Sequence, residues 1–312
     1  MFYIISNPVS QSGNKKTAEE ILRKALKDKG LPYRFAHTKY KGHGEKLAAS
    51  VCAHAAEDGE PASLIILGGD GTVNSVLSGI TDFSLIRLGV VPVGSGNDFL
   101  RGLDAGQNEE DLIGRILENK VRRCVDVGEL SCRTDDGVFT RRFGVSAGIG
   151  FDAAICEEVE RSSVKHLLNK VHLGQLTYGV IGLKQVITAP QISCEIEDDK
   201  GNVTKVQKLL FAALMNLPYE GGGYPFAPDA QCSDGRLDIM VADGIGGISA
   251  LLLFPKAKAG KLGGEKGISY LQCEKATIRP VSPLWFHTDG ETFVKTDQLT
   301  ASVLPQALQL LI

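Results

Sequence analysis

The sequence predicts an α/β N-terminal domain built on a parallel sheet, followed by a β-rich sandwich C-terminal domain. Three observations predict this arrangement. The chain of 312 residues is long enough for two domains. Up to about residue 119, short apolar runs alternate with helical patterns, which is typical of a parallel sheet covered by helices. After about residue 122, most segments have the pattern of strands separated by turns.

The first domain is expected to span residues 1–122. Its predicted strands are short apolar runs, and its predicted helices carry apolar residues at helical spacing. The strands are predicted at 2–6, 32–36, 63–67 and 85–92, and the helices at 17–29, 46–56, 72–80, 97–103 and 109–118. Thr72 is predicted to cap its helix, because a hydroxyl there can accept a hydrogen bond from a backbone N–H of the first turn.

The second domain is expected to span residues 123–306 as an antiparallel sandwich. Its strands are predicted at 121–131, 137–145, 192–197, 203–216, 236–242 and 275–280. Two segments, 135–137 and 199–202, have the residues of hairpin turns. A helical insert is predicted at about 153–187. The pattern leaves open whether a last strand near 307–312 returns to the first domain.

The composition is that of an ordinary globular protein, with a formal net charge of −3 and a pI near 6.1. This balance argues against a nucleic-acid partner, which would normally require a basic excess. The seven cysteines are scattered and form no C-x-x-C pair, which favours reduced thiols and a cytoplasmic protein. We expect no signal peptide and no membrane span, since the apolar runs are short.

The strongest local signal is the glycine-rich segment 68–72 (GGDGT), placed between a predicted buried strand and a helix. Glycines let the backbone approach a polyphosphate, and the N–H groups at the start of a helix attract anions. Asp70 would repel phosphate unless a cation such as Mg²⁺ offsets its charge. The alternative is a tight turn in which Asp70 only caps the helix.

Two further polar loops favour the phosphate site over this alternative. Residues 7–14 follow the first predicted strand, and residues 93–98 follow the fourth. In a parallel sheet all three loops leave the carboxyl ends of strands, where ligands bind in open α/β folds. No G-x-x-x-x-G-K-[ST] segment is present. Residues 148–153 fit G-x-G-x-x-A, but they lie in the β-rich half and are interpreted as a backbone turn.

Together these segments resemble the diacylglycerol kinase catalytic family, in particular its soluble bacterial lipid kinases. That family includes sphingosine kinases and is distantly related to NAD kinases. The resemblance is carried in order by 68–72, 91–100, 148–153, Asn216 with 221–223, Pro228, 233–238 and 289–291. Ser75, Leu100 and the pair Val145-Ser146 depart from the usual family residues. The resemblance implies the NAD-kinase-like and diacylglycerol-kinase-like fold, with the active-site cleft between the two domains.

The resemblance also implies roles for individual residues in transfer of the γ-phosphate of Mg-ATP to a lipid hydroxyl. Glu291 would be the general base, and Asp70 and Asp98 would act on Mg-ATP or the transferring phosphate. The implied nucleotide contacts are Asn7, Ser12, Gly13, Thr38, Gly68, Gly69, Asp70, Gly71, Thr72, Asn74 and Ser95. The alternatives are that Glu291 is a solvated turn residue and that Asp98 only starts a helix.

A second, structural Mg²⁺ is implied at Asp234, with the backbone of Gln231 and Arg236 nearby. The alternative there is a simple hairpin turn. Two basic segments, 161–172 and 256–266, lie beside apolar residues and suit contact with an anionic membrane, although each also suits an ordinary solvated face.

We therefore expect ATP, Mg²⁺ and a lipid substrate at a membrane surface, with a diacylglycerol-like lipid as the default acceptor. A cytoplasmic enzyme peripheral to the inner membrane face fits this expectation. Two other functions stay open: an NAD or other small-molecule kinase, and a non-catalytic regulator on the same scaffold. The sequence also leaves open whether two chains form a homodimer.

Overall fold

The computed structural model describes residues 1–8, 18–94, 96–106, 108–134, 137–161, 191–246 and 248–312. Several predictions fall outside these ranges. They concern the proposed nucleotide contacts Ser12, Gly13 and Ser95, the turn at 135–136, the helical insert beyond Arg161, and the basic segment that follows Arg161.

The N-terminal half is a parallel sheet with helices packed against it. Its strands are β1 (Phe2–Ser6), β2 (Tyr33–His37), β3 (Ala62–Gly68) and β4 (Ile86–Pro92), and its helices are α1 (Ala18–Asp28), α2 (His43–Asp58), α3 (Asp70–Gly79), α4 (Asp98–Gly102) and α5 (Glu109–Ile116). The strand order is β2-β1-β3-β4, and all three pairings are parallel. The carboxyl ends of these strands therefore lie along one edge of the sheet.

The centre of this half is apolar because its middle strands are covered on both faces. Every residue of β3 is buried, and so is every residue of β1. The amphipathic helix α1 adds Leu22 and Leu26, which are both fully buried. Continuous apolar runs are typical of parallel strands of this kind. The rigid sheet fixes the positions of the loops that follow its strands.

The C-terminal half is β-rich. Its elements are β5 (Arg123–Thr134), β6 (Gly137–Phe143), β7 (Ser146–Gly150), α6 (Phe151–Arg161), β8 (Ile192–Asp198), β9 (Val203–Met215), β10 (Leu237–Asp243), α7 (Ile248–Lys258), β11 (Ile268–Cys273), β12 (Lys275–Pro280), β13 (Leu284–Thr288), β14 (Glu291–Thr296) and β15 (Leu299–Leu310). Its strands pair with one another in antiparallel fashion. Two apolar clusters form the core, one of them under α7.

The last strand belongs to both halves. β15 pairs antiparallel with β12 and β5, and near its end it pairs in parallel with β4. Leu310 lies opposite Leu88 of β4 and also opposite Arg123 of β5. The strand that was expected near 307–312 therefore begins earlier, at Leu299, and joins the first sheet beside β4. The domain boundary at residue 122 stays a prediction.

Some expectations from the pattern were wrong in detail. Strands β7, β11, β13 and β14 and helix α7 were not predicted. Thr72 does not cap α3, because the helix already begins at Asp70, with Gly69 at its N-cap and no side-chain capping bond. Thr72 lies instead in the first turn, buried against the preceding strand.

Helix α7 has an unusual surface. Its inner side packs through Ala250, Leu253 and Ala257, while Leu252 and Phe254 are 71% and 54% exposed. Among the residues that the structure describes, no helix combines the length and apolar character needed to cross a bilayer. All seven cysteines are free.

Candidate active site

The loops after β1, β3 and β4 contact one another at the carboxyl edge of the sheet. The backbone N–H of Asn7 donates to the carbonyl of Leu67 at 3.0 Å, and its Nδ2 donates to Thr72 Oγ1 at 3.3 Å. The N–H of Asp70 donates to the carbonyl of Gly96 at 3.2 Å. The three loops therefore converge as the sequence predicted. The N–H of Asp70, however, is occupied by a protein carbonyl rather than left for an anion.

Asp70 joins the second and third loops through its carboxylate. Oδ2 accepts the N–H of Asp98 at 2.9 Å, and Oδ1 accepts the N–H of Phe99 at 3.1 Å. Gly69 permits this close approach, since a β-carbon there would lie 2.6 Å from the Gly96 carbonyl oxygen. Burial raises the pKa of Asp70 above its ordinary value, and the two backbone hydrogen bonds oppose that rise.

Asp98 is buried beside Asp70 and is held from two sides. Oδ1 pairs with Arg101, one turn along α4, and Oδ2 accepts the N–H of Gly222 at 2.7 Å. Burial and the neighbouring charges of Asp70 and Glu220 raise the pKa of Asp98, while the N–H of Gly222 and the charge of Arg101 oppose the rise. A buried carboxylate beside a half-buried one forms a site that a cation would stabilise.

Glu291 reaches the same region from the other half of the molecule. It follows a two-residue turn between β13 and β14, in which Asp289 and Gly290 have φ of 48° and 81°. Asp-Gly with positive φ at both positions is the favoured type I′ hairpin turn. A β-carbon built on Gly71 would lie only 2.8 Å from Glu291 Oε1. The acidic side chain therefore faces the glycine-rich loop, as expected.

A lysine that the sequence analysis did not single out completes this contact. Lys41 Nζ lies 3.0 Å from Glu291 Oε2, and Lys41 comes from the segment after β2. No local motif marks Lys41, because its partner is distant in the chain. This ammonium forms an ion pair with Glu291 and places a positive charge beside the glycine-rich loop.

The turn that carries Glu291 is anchored by Asp289. Its carboxylate accepts four hydrogen bonds, from the N–H groups of Gly144, Val145 and Ser146 and from Asn74 Nδ2, at 2.8 to 3.0 Å. Burial raises the pKa of Asp289 to about 6, although these four donors oppose the rise. The hairpin is thereby fixed to the core of the molecule.

Asn74 is a predicted nucleotide contact whose amide group is engaged with the protein. Besides Asp289, its Nδ2 donates to Arg142 O at 2.9 Å and Thr288 Oγ1 at 3.1 Å. Thr38, another predicted contact, donates its N–H to Ser6 O at 2.9 Å and so lies near the end of β1. Direct contact of either residue with a nucleotide stays a prediction.

A buried cluster lies behind the turn that carries Glu291. His287 Nε2 lies 3.1 Å from Asp152 Oδ2 and 3.2 Å from Glu220 Oε1, and His287 Nδ1 accepts the N–H of Gly290 at 3.1 Å. The sequence analysis gave no role to His287 or Asp152. The segment 148–153, which it interpreted as a backbone turn, is the junction of β7 with α6 and delivers Asp152 to this cluster.

The predicted structural metal site has the geometry of a turn. Asp234 Oδ1 accepts the N–H of Arg236 at 3.0 Å, and its Oδ2 accepts Gln272 Nε2 at 3.3 Å. Nearby Asp238 has a buried Oδ2 without a hydrogen-bond partner, and burial together with the charge of Asp234 raises its pKa. The donor set fits a cation between Asp234 and Asp238. The metal roles of Asp234, Gln231 and Arg236 stay predictions.

A parallel sheet with glycine-rich loops, facing a carboxylate from a β-sandwich, defines a class of two-domain kinases. The family model of the diacylglycerol kinase catalytic domain matches residues 1–130. The model of the YegS C-terminal NAD kinase beta sandwich-like domain matches residues 145–312. The second model covers more than half of the chain, so the chain belongs to the family of the YegS C-terminal domain, and its first 130 residues match the diacylglycerol kinase catalytic domain. The resemblance inferred from the motifs and the predicted fold class are both confirmed.

Known relatives extend over nearly the whole chain. The Bacillus subtilis (strain 168) protein YtlR, whose name describes a lipid kinase, is 27% identical over 305 residues, which are 96% of each chain. A diacylglycerol kinase of the same strain is 28% identical over 261 residues, 80% of each chain. The crystal structure of a diacylglycerol kinase from Bacillus anthracis strain Sterne superposes with a TM-score of 0.67 at 21% identity, covering 99% of this chain and 96% of that one. This last likeness shows the shared fold.

Proposed function

We propose that this protein is an ATP-dependent lipid kinase that transfers the γ-phosphate of Mg-ATP to the hydroxyl of a diacylglycerol-like lipid. The observation that carries the proposal is the contact between Glu291 and the glycine-rich loop at Gly71. A carboxylate on one side of a cleft and a phosphate-binding loop on the other are the two parts that phosphoryl transfer to a hydroxyl needs.

In the proposed reaction, the lipid hydroxyl oxygen forms a bond to the γ-phosphorus while the bond to the β,γ-bridging oxygen breaks. ADP leaves with that oxygen, and the hydroxyl proton passes to Glu291. Lys41 Nζ lies 3.0 Å from Glu291 Oε2 and would hold this carboxylate beside the glycine-rich loop. Glu291 would act as general base, which typically contributes about 10²- to 10⁴-fold to the rate.

Asp70 and Asp98 would hold the magnesium ion that accompanies ATP. Their raised pKa values and their closeness support a cation between them and the phosphates. Mg²⁺ would supply charge neutralisation on the transferring phosphoryl group. The proposed nucleotide contacts are Asn7, Ser12, Gly13, Thr38, Gly68, Gly69, Asp70, Gly71, Thr72, Asn74 and Ser95. We further propose a cytoplasmic protein that reaches its substrate at a membrane surface.

The direct test is a transfer assay with purified protein and γ-labelled ATP in Mg²⁺ buffer. The acceptors are diacylglycerol, monoacylglycerol and sphingosine in mixed micelles, with NAD in a separate reaction. We expect label in a lipid product, with diacylglycerol preferred. Label in NAD alone would instead make the protein a small-molecule kinase. Nucleotide binding without label in any acceptor would favour the non-catalytic regulator.

The Glu291→Gln variant tests the proposed base. We expect transfer to fall at least 10²-fold, because the amide cannot take the proton, while ATP affinity changes little. Glu118→Gln is the matched control, since Glu118 is an exposed residue paired with Arg122 away from the site. Equal activity of the Glu291 variant and this control would remove Glu291 from the base role.

A further inference from the structure

The buried imidazole of His287 touches the turn that carries Glu291. The side chain of His287 has no exposed surface, and Nδ1 accepts the N–H of Gly290 at 3.1 Å. Gly290 directly precedes Glu291. The hydrogen bond therefore holds the Asp289–Gly290 peptide, which lies one residue before the proposed base.

The environment of Nε2 fixes which ring nitrogen carries the proton. A neutral imidazole has one donor and one acceptor nitrogen. Because the N–H of Gly290 points at Nδ1, that nitrogen must be the acceptor. The ring proton is therefore on Nε2, which lies within 3.2 Å of both Asp152 and Glu220. Because the two carboxylates favour the ring proton on Nε2, Nδ1 can accept the N–H of Gly290 in the turn.

The same geometry argues against a metal ion at this cluster. His287, Asp152 and Glu220 bring three potential ligand atoms within 4.8 Å of one another. A histidine that binds a metal through Nε2 donates its Nδ1–H to a carbonyl or carboxylate. Here Nδ1 faces an N–H donor instead, so coordination through Nε2 would place two N–H groups against each other.

The charges of the cluster and the hydrogen-bond geometry act on the same ring. Burial alone would lower the pKa of His287, but its carboxylate partners Asp152 and Glu220 raise it, and burial raises the pKa of Asp152. A second ring proton, on Nδ1, would meet the N–H of Gly290, so the hydrogen-bond geometry assigns the single ring proton to Nε2.

The cluster connects Glu291 to the rest of the site. Glu220 lies in the loop whose Gly222 holds Asp98, and Asp152 lies in the first turn of α6. Gly148 of β7 pairs with His287, and any β-carbon at Gly148 would overlap Asp152 Oδ2 and His287 Nε2. The close packing leaves the imidazole one orientation.

We propose that His287 is a positioning residue: its Nδ1 holds the Asp289–Gly290 peptide of the turn that carries Glu291, while Asp152 and Glu220 fix the Nε2–H tautomer of its ring. This inference rests on the proposed role of Glu291. It assigns to His287 no contact with the substrate.

Two substitutions of His287 test the hydrogen bonds of Nδ1 and of Nε2 separately. In His287→Asn the side-chain oxygen lies near the position of Nδ1 and keeps an acceptor for the N–H of Gly290. In His287→Gln the side-chain nitrogen reaches the position of Nε2 and keeps the donor to the carboxylates, but leaves that N–H without a partner. We expect kcat for lipid phosphorylation to fall about tenfold or more further in the Gln variant than in the Asn variant, with the KM for ATP unchanged in both.

A kcat in the Gln variant equal to or above that of the Asn variant would overturn the proposal. Circular dichroism and unfolding midpoints check that both variants are folded. Nuclear magnetic resonance of the wild-type protein with ¹⁵N-labelled histidine gives a readout that needs neither activity nor a folded variant. We expect the ring proton of His287 on Nε2; a proton on Nδ1 would overturn the proposal.

The same spectra distinguish this inference from the metal alternative and from the proposed function. Adding Mg²⁺ or Zn²⁺ should leave the His287 ring signals unchanged; a shift at stoichiometric metal would contradict the assignment. Failure of the wild-type protein to phosphorylate any acceptor would refute the proposed function alone. The proton position would still decide whether His287 holds the turn.

Discussion

The carboxylate of Asp70 accepts the backbone N–H of Asp98 at 2.9 Å, so one acidic side chain fastens the loop after β3 to the loop after β4. The other carboxylate oxygen accepts the next N–H, that of Phe99. An anionic group at this position both shapes the loops and, in the proposed function, faces the metal ion. The two roles can be separated by substitution.

Asp70→Asn should keep one of these hydrogen bonds and lose the charge. We expect phosphoryl transfer to fall about 10²-fold or more, because electrostatic stabilisation of the transferring group is lost. The free energy of unfolding should change by only about 1 kcal/mol, since one hydrogen bond is lost and a buried charge is removed. Transfer rates and urea unfolding measure the two effects. Full activity would exclude Asp70 from the reaction.

Gly71→Ala should reduce activity without reducing stability. Gly71 lies in α3 with an ordinary helical backbone, so alanine favours the helix by up to about 1 kcal/mol. The new methyl group would meet Glu291 Oε1 and force that carboxylate to move. We expect kcat to fall at least tenfold at an unchanged or higher unfolding midpoint.

The matched control for Gly71→Ala is Gly114→Ala in α5. No atom lies within 4 Å of a β-carbon built on Gly114, so the same helix gain is expected with normal activity. Loss of activity in both variants to the same extent would contradict the steric explanation.

Gly79→Ala should reduce stability instead. A β-carbon on Gly79 would overlap the backbone carbonyl of Glu45, where α3 crosses the start of α2. The backbone of Glu45 cannot move aside as a flexible side chain could. We therefore expect this overlap to reduce the free energy of unfolding by about 1 to 3 kcal/mol. Urea denaturation measures it. An unchanged midpoint would show that the two helices can separate at no cost.

The raised pKa of Asp289 should make the free energy of unfolding depend on pH. Its pKa is about 6 in the folded protein against 3.8 in the unfolded chain, so the folded state binds more protons between these values. The free energy of unfolding should therefore fall as pH rises from about 4 to about 6, by up to about 3 kcal/mol from this group. Asp289→Asn should flatten the curve across that window. A wild-type curve without this slope would contradict the raised pKa.

Contact of the basic segment 256–266 with membranes remains a prediction that vesicle sedimentation can test. Leu252 and Phe254 are exposed on α7, and Lys258 and Lys261 are exposed beside them. We expect binding to vesicles of anionic phospholipid, weakened about fivefold by each of Lys258→Glu and Lys261→Glu. Lys208→Glu, at an exposed position of β9, is the control. Equal effects of all three variants would indicate a charge effect without a specific surface.

The sequence predicted best where the signal was local and repeated. The run at 63–67 lies within β3, and the run at 85–92 matches β4 except for Leu85, which ends a 3-10 helix before the strand. The glycine-rich loop follows β3 as expected. Strands β13 and β14 were not predicted, although Asp289-Gly290 is the strongest short hairpin signal, because both strands are short and neither alternates strictly between apolar and polar residues.

Other parts of the site had no local signal at all. Lys41 meets Glu291, and Asp152 meets His287, only because the fold brings distant segments together. A lone lysine or histidine in a sequence is usually a solvated or structural residue. The burial and the hydrogen-bond partners that give these residues a role exist only in three dimensions.

The position of β15 at the junction of both sheets has a consequence for how the protein is made. β4 is synthesised long before β15, the strand that pairs with it. Through most of synthesis β4 is therefore an edge strand with unpaired backbone groups. Pairings between such remote segments form slowly. A nascent chain with an unpaired edge strand can aggregate. We expect folding to be completed only after Leu308 to Leu310 have been synthesised and have paired.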